Sequence, residues 1–173
     1  MPLLKATNKE IGKLGEILPS NDLFEEVIDL NAIKHNFPVF DTIVKMDGAY
    51  YALSIKARKK YQKNGSLNSQ YNILTGSGKR VRKFKKALDL LEDNGYDIAT
   101  MKFGFVVAPL KQGEECIYYM GLLSEVNEKF TVDNCLSDTC GNIYVPVKES
   151  DLMKYRQIGK HSWDFIENHL KSA

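Results

Sequence analysis

Apolar positions along the chain change period several times, and each change predicts an element. Between Lys9 and Leu18, the apolar or small residues Ile11, Leu14, Gly15 and Leu18 recur three or four positions apart, which puts them on one face of a short amphipathic helix. Asn8 is placed to cap that helix, and Pro19, which lacks an N–H, to close it. Apolar runs around Val27 to Ile33, Pro38 to Met46 and Tyr50 to Ala57 follow and read as consecutive strands. Asp47-Gly48 separates the last two and suits a tight hairpin turn, whose central residues take positive φ.

Polar residues take over from Tyr61 to Gly78, a stretch rich in Asn, Gly and Ser that reads as a loop or lid with room for a short strand at Tyr71 to Leu74. Helical spacing returns between Lys79 and Asn94 through Val81, Phe84, Leu88 and Leu91, with Gly95 to end the helix. Lys102 to Leu110 and Glu115 to Leu123 are apolar runs of strand length, and Ser150 to Leu170 reads as one or two helices holding the only tryptophan, Trp163. The order is helix, three strands, helix, further strands and a helical end, which predicts an α/β fold.

Composition narrows this further. The chain has 173 residues, 43% hydrophobic and 27% charged, enough for one domain of ordinary size and not for two large ones. No apolar run approaches the length of a signal peptide or a membrane span, so a cytoplasmic location without membrane contact is the default expectation. Cys116, Cys135 and Cys140 show neither CxxC spacing nor a nearby histidine pair, so reduced thiols are expected rather than a disulfide framework or a zinc site. The net charge of +2 argues at first against a nucleic-acid partner. Its distribution reverses that impression: segments 1–55, 56–86 and 87–173 carry −3, +11 and −6 (5 basic against 8 acidic, 11 against none, 8 against 14). A single-sign segment of this kind is either a solvated face or a surface for phosphate.

Candidate chemistry lies where the basic segment begins. Asp41 falls at the end of one hairpin strand and Lys56 on the next, with Ser54 and Lys56 on one face of that strand by alternation. An aspartate binds a hard divalent cation through oxygen, and an ammonium orients a water or stabilises a phosphate transition state. The plain alternative is an edge-strand salt bridge between Asp41 and Lys56.

Pro38-Val39-Phe40-Asp41 followed by Ser54-Ile55-Lys56 resembles the two half-motifs of the PD-(D/E)XK nuclease superfamily, and Gly12-Lys13-Leu14-Gly15-Glu16 is similar to the G-x-x-G-E of several of its families. The resemblance implies a restriction-endonuclease-like core of α-β-β-β-α-β order over residues 9–110, a mixed central sheet flanked by helices. Residues 111–173 would add strands and C-terminal helices within the same single domain. It further implies Mg²⁺ or Mn²⁺ held by Asp41 and Glu16, with Lys56 positioning the attacking water and Ser54 holding a metal-bound water. Ser54 departs from the pattern, since the family places Glu, Asp or Gln there, and a neutral hydroxyl is the weaker ligand.

Around that site, Arg58, Lys59, Lys60 and Lys63 continue the strand into a basic loop, and Lys79, Arg80, Arg82 and Lys83, followed by Lys85 and Lys86, open the second helix. These are the candidate phosphate contacts, with Tyr61 and Tyr71 as candidate stacking residues. Gly76-Ser77-Gly78-Lys79-Arg80 is not a P-loop, because Ile73 stands at the first glycine position and Arg80 at the Ser/Thr position. His35, His161 and His169 form no ligand motif. The expected function is a Mg-dependent endonuclease acting on DNA, with RNA as the other substrate these residues allow and a homodimer where both strands of a duplex are to be cut. A non-catalytic nucleic-acid-binding module on the same fold and a protein-interaction domain with a basic helix are the rival expectations.

Overall fold

The computed structural model describes residues 11, 23–68 and 70–172. It is an α/β fold in which a mixed, curled central sheet is flanked by helices. The amino-terminal helix predicted from Asn8 to Pro19 lies outside the described residues apart from Ile11, which is helical and buried.

Strand β1 (Glu26–Asp29) pairs antiparallel with β2 (Thr42–Met46), and β2 pairs antiparallel with β3 (Ala49–Lys59). Asp47 and Gly48 turn the β2–β3 hairpin with φ of 52° and 78°, as their sequence requires. The run from Val27 to Ile33 is shorter as a strand than expected. Asp29 accepts the N–H of Asn31 at 2.9 Å and caps a one-turn helix, α1 (Leu30–Ile33), which buries Leu30.

The polar stretch after β3 contains β4 (Gln70–Leu74), which stays outside the main sheet. Helix α2 (Lys79–Asp93) follows, and Gly95 leaves it with φ of 89°. Strand β5 (Lys102–Leu110) then runs parallel to β3, and β6 (Cys116–Leu122) antiparallel to β5. Two short helices, α3 (Leu123–Val126) and α4 (Val132–Leu136), precede β7 (Ile143–Pro146), which pairs with β4 in a small two-stranded sheet.

The chain ends with α5 (Glu149–Leu152), β8 (Arg156–His161) and α6 (Trp163–Ser172). Strand β8 corrects the expectation of an all-helical end. It satisfies the free edge of β6, with a register shift between Tyr118 and Tyr119, and buries Ile158. The main sheet therefore reads β1-β2-β3-β5-β6-β8, and the carboxy-terminal third supplies strands β6 and β8 to it. Among the described residues no helix is long and apolar enough to cross a membrane.

Two apolar layers hold the sheet. On one face, α2 contributes Phe84, Ala87, Leu88 and Leu91, and the β4–β7 sheet contributes Tyr71, Ile73, Ile143 and Val145. Phe40, Phe84 and Phe103 meet there with ring centroids 5.4 to 6.4 Å apart, in edge or tilted contact. On the other face, Ile11, Ile166 and Leu170 pack on Val44, Leu53, Ile55 and Val106. Alternation along β3 thus sends Ala52 to the α2 face and Leu53 and Ile55 to the opposite one.

Candidate active site

Strand β3 has 11 residues and β2 only 5, so β3 outruns its hairpin partner. Past Leu53, the N–H groups on the β2 side of β3 have no strand opposite among the described residues. Asp41 fills the first of these gaps. Its carboxylate Oδ2 accepts the Ile55 N–H at 2.6 Å, a short charge-assisted bond to a backbone donor.

Asp41 is held from three directions. Its own N–H donates to the Leu53 carbonyl at 2.9 Å, and its carbonyl accepts the Leu30 N–H at 3.1 Å. Phe40, fully buried in the aromatic cluster, fixes the residue before it. The Thr42 hydroxyl, immediately after, donates to the Ile28 carbonyl at 2.7 Å. Asp41 is therefore a designed strand end, and its carboxylate lies alongside the Ser54-Ile55-Lys56 segment.

Ser54 is completely buried, and its Oγ has no hydrogen-bond partner among the described residues. An orphaned buried hydroxyl is costly, which makes a water or ion at this place the natural complement. Lys56 lies opposite Val107 of β5, is half-buried, and belongs to no ion pair among the described residues. The Ile55 N–H holds the Asp41 carboxylate, and among the described residues Asp41 and Lys56 do not form the edge-strand salt bridge expected as the plain alternative. A cleft of about 380 Å³ opens along the next stretch of β3, lined by Ile11, Ala57, Arg58, Lys59 and Asn68.

Glu16, the other expected metal ligand, lies outside the described residues. Among those residues no group of three His, Cys, Asp or Glu side chains converges as a metal cage.

The expected phosphate contacts divide sharply. Arg58 Nη1 donates to the Gln70 carbonyl and ties β4 to β3. Lys60 pairs with Glu149 at 3.2 Å, and Arg80 reaches both Asp138 at 2.6 Å and the Asn142 side chain at 2.6 Å. These three cations serve the framework. Lys59 is half-buried in the cleft, while Lys63, Lys79, Arg82, Lys83, Lys85 and Lys86 are exposed.

The stacking residues do not present themselves as expected. Tyr71 is 1% exposed, and burial raises its pKa well above the ordinary phenol value. Tyr61 is half-buried, with the ammonium groups of Lys60 and Lys111 each within 6 Å of its ring centre, at 5.9 and 5.8 Å. For Tyr71 the reason is the small β4–β7 sheet, which draws it onto the core.

Asn68 was not singled out by sequence reasoning, yet its side chain donates to the Lys59 carbonyl at 2.5 Å and lines the cleft. A single asparagine in a polar loop carries no signal of such a role. A larger groove of about 980 Å³ at the carboxy-terminal end of α2 is rimmed by Glu92, Asp97 and Asp133 with no basic residue, which disfavours phosphate there. All three cysteines are buried and free, as their spacing suggested. No protein-family model matches the chain, and no curated protein matches it in sequence.

Proposed function

We propose that this protein is a metal-dependent endonuclease that hydrolyses DNA phosphodiester bonds at the junction of β2 and β3. The observation that carries the reading is the bond from the Ile55 N–H to the Asp41 carboxylate. It sets the Asp41 carboxylate against the backbone of the strand segment that carries Lys56. A restriction-endonuclease-like topology is supported by three antiparallel strands, a helix and a fourth strand parallel to the third, with buried Ile11 and α2 contributing to opposite faces.

A Mg²⁺ or Mn²⁺ ion commonly keeps several of its waters and needs only one or two carboxylates from the protein. Asp41 would hold it, joined by Glu16, with the orphaned Ser54 hydroxyl accepting or donating to a water beside it. When bound, such an ion polarises a phosphoryl oxygen and lowers the pKa of a coordinated water. Lys56, which forms no ion pair among the described residues, orients the attacking water and offsets the charge that develops on the phosphoryl oxygens. The exposed lysines and arginines hold the strands on either side, and two copies of the chain would supply a site for each strand of a duplex.

One observation favours a second reading. Ser54 is neutral and fully buried at the position where a carboxylate would complete the site, which suits a module that binds DNA without cutting it. A cleavage assay separates the two. Wild-type protein with supercoiled plasmid and Mg²⁺ or Mn²⁺ should nick or linearise it. Asp41→Asn, which keeps an acceptor for the Ile55 N–H, and Lys56→Ala should each lose at least a hundredfold in rate. Equal rates in all three proteins, or binding without cleavage by any of them, would sink the nuclease reading.

A further inference from the structure

Helix α2 carries its charges the wrong way round for its own stability. Phe84, Ala87, Leu88 and Leu91 form its buried face, and Lys79, Arg82, Lys83, Lys85 and Lys86 stand exposed in its first half. Asp89, Glu92 and Asp93 stand exposed in the second half. A helix is electropositive at its amino end and electronegative at its carboxy end, so both groups oppose the macrodipole. Lys79 with Lys83 and Arg82 with Lys86 are also like-charge neighbours at i,i+4 spacing.

Asp89, at i,i+4 from Lys85 and i,i+3 from Lys86, is the opposite charge spaced to offset this within the helix, and it closes an ion pair with neither. Among the described residues, none of these five cations has a carboxylate within 4 Å, and Gly78 provides no capping side chain. Arg80, in the same turn, shows that the fold pairs a cation here when the cation serves the framework. The exposed five instead form a surface whose repulsion a polyanion would relieve.

We propose that the amino-terminal half of α2 grips the phosphate backbone of duplex DNA, and that it does so without stacking on bases. The identity of the polymer rests on the nuclease reading, while the surface and its mode of binding rest on α2 itself. From Lys79 to Lys86 the helix advances about 10 Å, and a duplex presents one negative charge per about 1.7 Å of axis, roughly six charges over that length. Five cations come close to that density. Single-stranded nucleic acid is normally held by aromatic platforms beside the cations. Here the aromatic residues of segment 56–86 are withdrawn: Tyr71 and Phe84 are buried, and Tyr61 lies against Lys60 and Lys111. The exposed aromatic residues Tyr144 and Phe165 belong to β7 and α6.

The test is fluorescence anisotropy with the full chain in EDTA, so that binding is read without cleavage. The probes are a short labelled duplex and one of its single strands, titrated over a range of salt. Wild type should bind the duplex several-fold tighter than the single strand, with a log–log salt slope of about −4.5, from roughly 0.9 for each of five phosphate contacts. The double variant Lys79→Glu/Lys83→Glu should bind the duplex at least tenfold more weakly, with a shallower slope. It should also melt at a higher temperature than wild type, because the reversed charges now agree with the helix dipole. Lys171→Gln, on α6, should match wild type in affinity and slope.

Unchanged affinity in the double variant, a lower melting temperature, equal binding of single strand and duplex, or binding of anionic vesicles with no binding of duplex would each overturn the proposal. Failure of the nuclease reading looks different, as duplex binding with the expected slope but no cleavage on adding Mg²⁺. Cleavage that persists while the double variant keeps full affinity would remove the α2 grip and leave the nuclease.

Discussion

Removing the Asp41 side chain should open the sheet where β3 outruns β2. Ile55 is 7% exposed and donates its N–H to the Asp41 carboxylate at 2.6 Å. Asp41→Ala leaves that buried donor without its acceptor, a loss of about 1–3 kcal/mol. Asp41→Asn keeps a neutral acceptor in the same place, so it should lose only the charge-assisted part, roughly 1 kcal/mol. For a chain of this size each kcal/mol moves the melting midpoint by about 2–4 °C. The alanine variant should therefore melt about 2–12 °C below wild type, with the asparagine variant in between.

Thermal and urea unfolding measure the size of the effect, and amide exchange locates it. The Ile55 amide should exchange much faster in Asp41→Ala, while amides at the β3–β5 pairing, such as Val106, keep the protection of the sheet interior. Equal midpoints for wild type and Asp41→Ala, with an unchanged Ile55 amide, would refute the account of Asp41 as the end of the strand. Asp41→Ala alone is consequently a poor test of chemistry, since lost cleavage would mix a loosened sheet with a lost ligand. The asparagine variant avoids much of that confusion.

Two further outcomes follow from packing and protonation. A Cβ on Gly121 would come within 2.6 Å of the Phe105 ring and 2.8 Å of the Tyr155 ring, which themselves meet edge-on at 5.1 Å, so Gly121→Ala should cost about 1–3 kcal/mol by urea unfolding. Burial, and secondarily the nearby His169, lowers the pKa of His161, whose ring stacks on Phe165 at 4.2 Å. The unfolded chain then takes up the proton first, so stability should fall as pH drops through about 6.5, and His161→Phe should flatten that part of the profile; an identical profile in the variant would contradict it.

Local rules made much of this fold legible. Strand β5 and helix α2 come within a residue of their expected ends, because an apolar run and a 3.6-residue period are strong signals when Gly95 punctuates them. Asp47-Gly48 announced its turn for the same reason. Strand β8 was not legible, since Arg156-Gln157-Ile158-Gly159-Lys160-His161 has one buried apolar residue and owes its extended form to the free edge of β6, a partner forty residues earlier. The site shows the same division. Strand position and the resemblance of the two half-motifs brought Asp41 and Lys56 to attention, but not that the Ile55 N–H would bond the Asp41 carboxylate. The sum of +11 did not reveal that Arg58, Lys60 and Arg80 are taken up by Gln70, Glu149 and Asp138, because those partners lie between 12 and 89 positions away.

That division also decides which substitution speaks most directly about chemistry. Asp41 is bound into the sheet, Ser54 is sealed inside it, and Arg58 ties down β4, so changing any of them moves the framework along with the site. Lys56 differs, because among the described residues it forms no ion pair and it is half-buried at the end of the segment that Asp41 pins. Its ammonium is not needed to hold any strand in register. A Lys56→Ala protein that melts with wild type and binds duplex with the same salt slope, yet no longer cuts, therefore locates the loss at the reacting phosphate. One that cuts at the wild-type rate removes the group on which the proposed water activation depends.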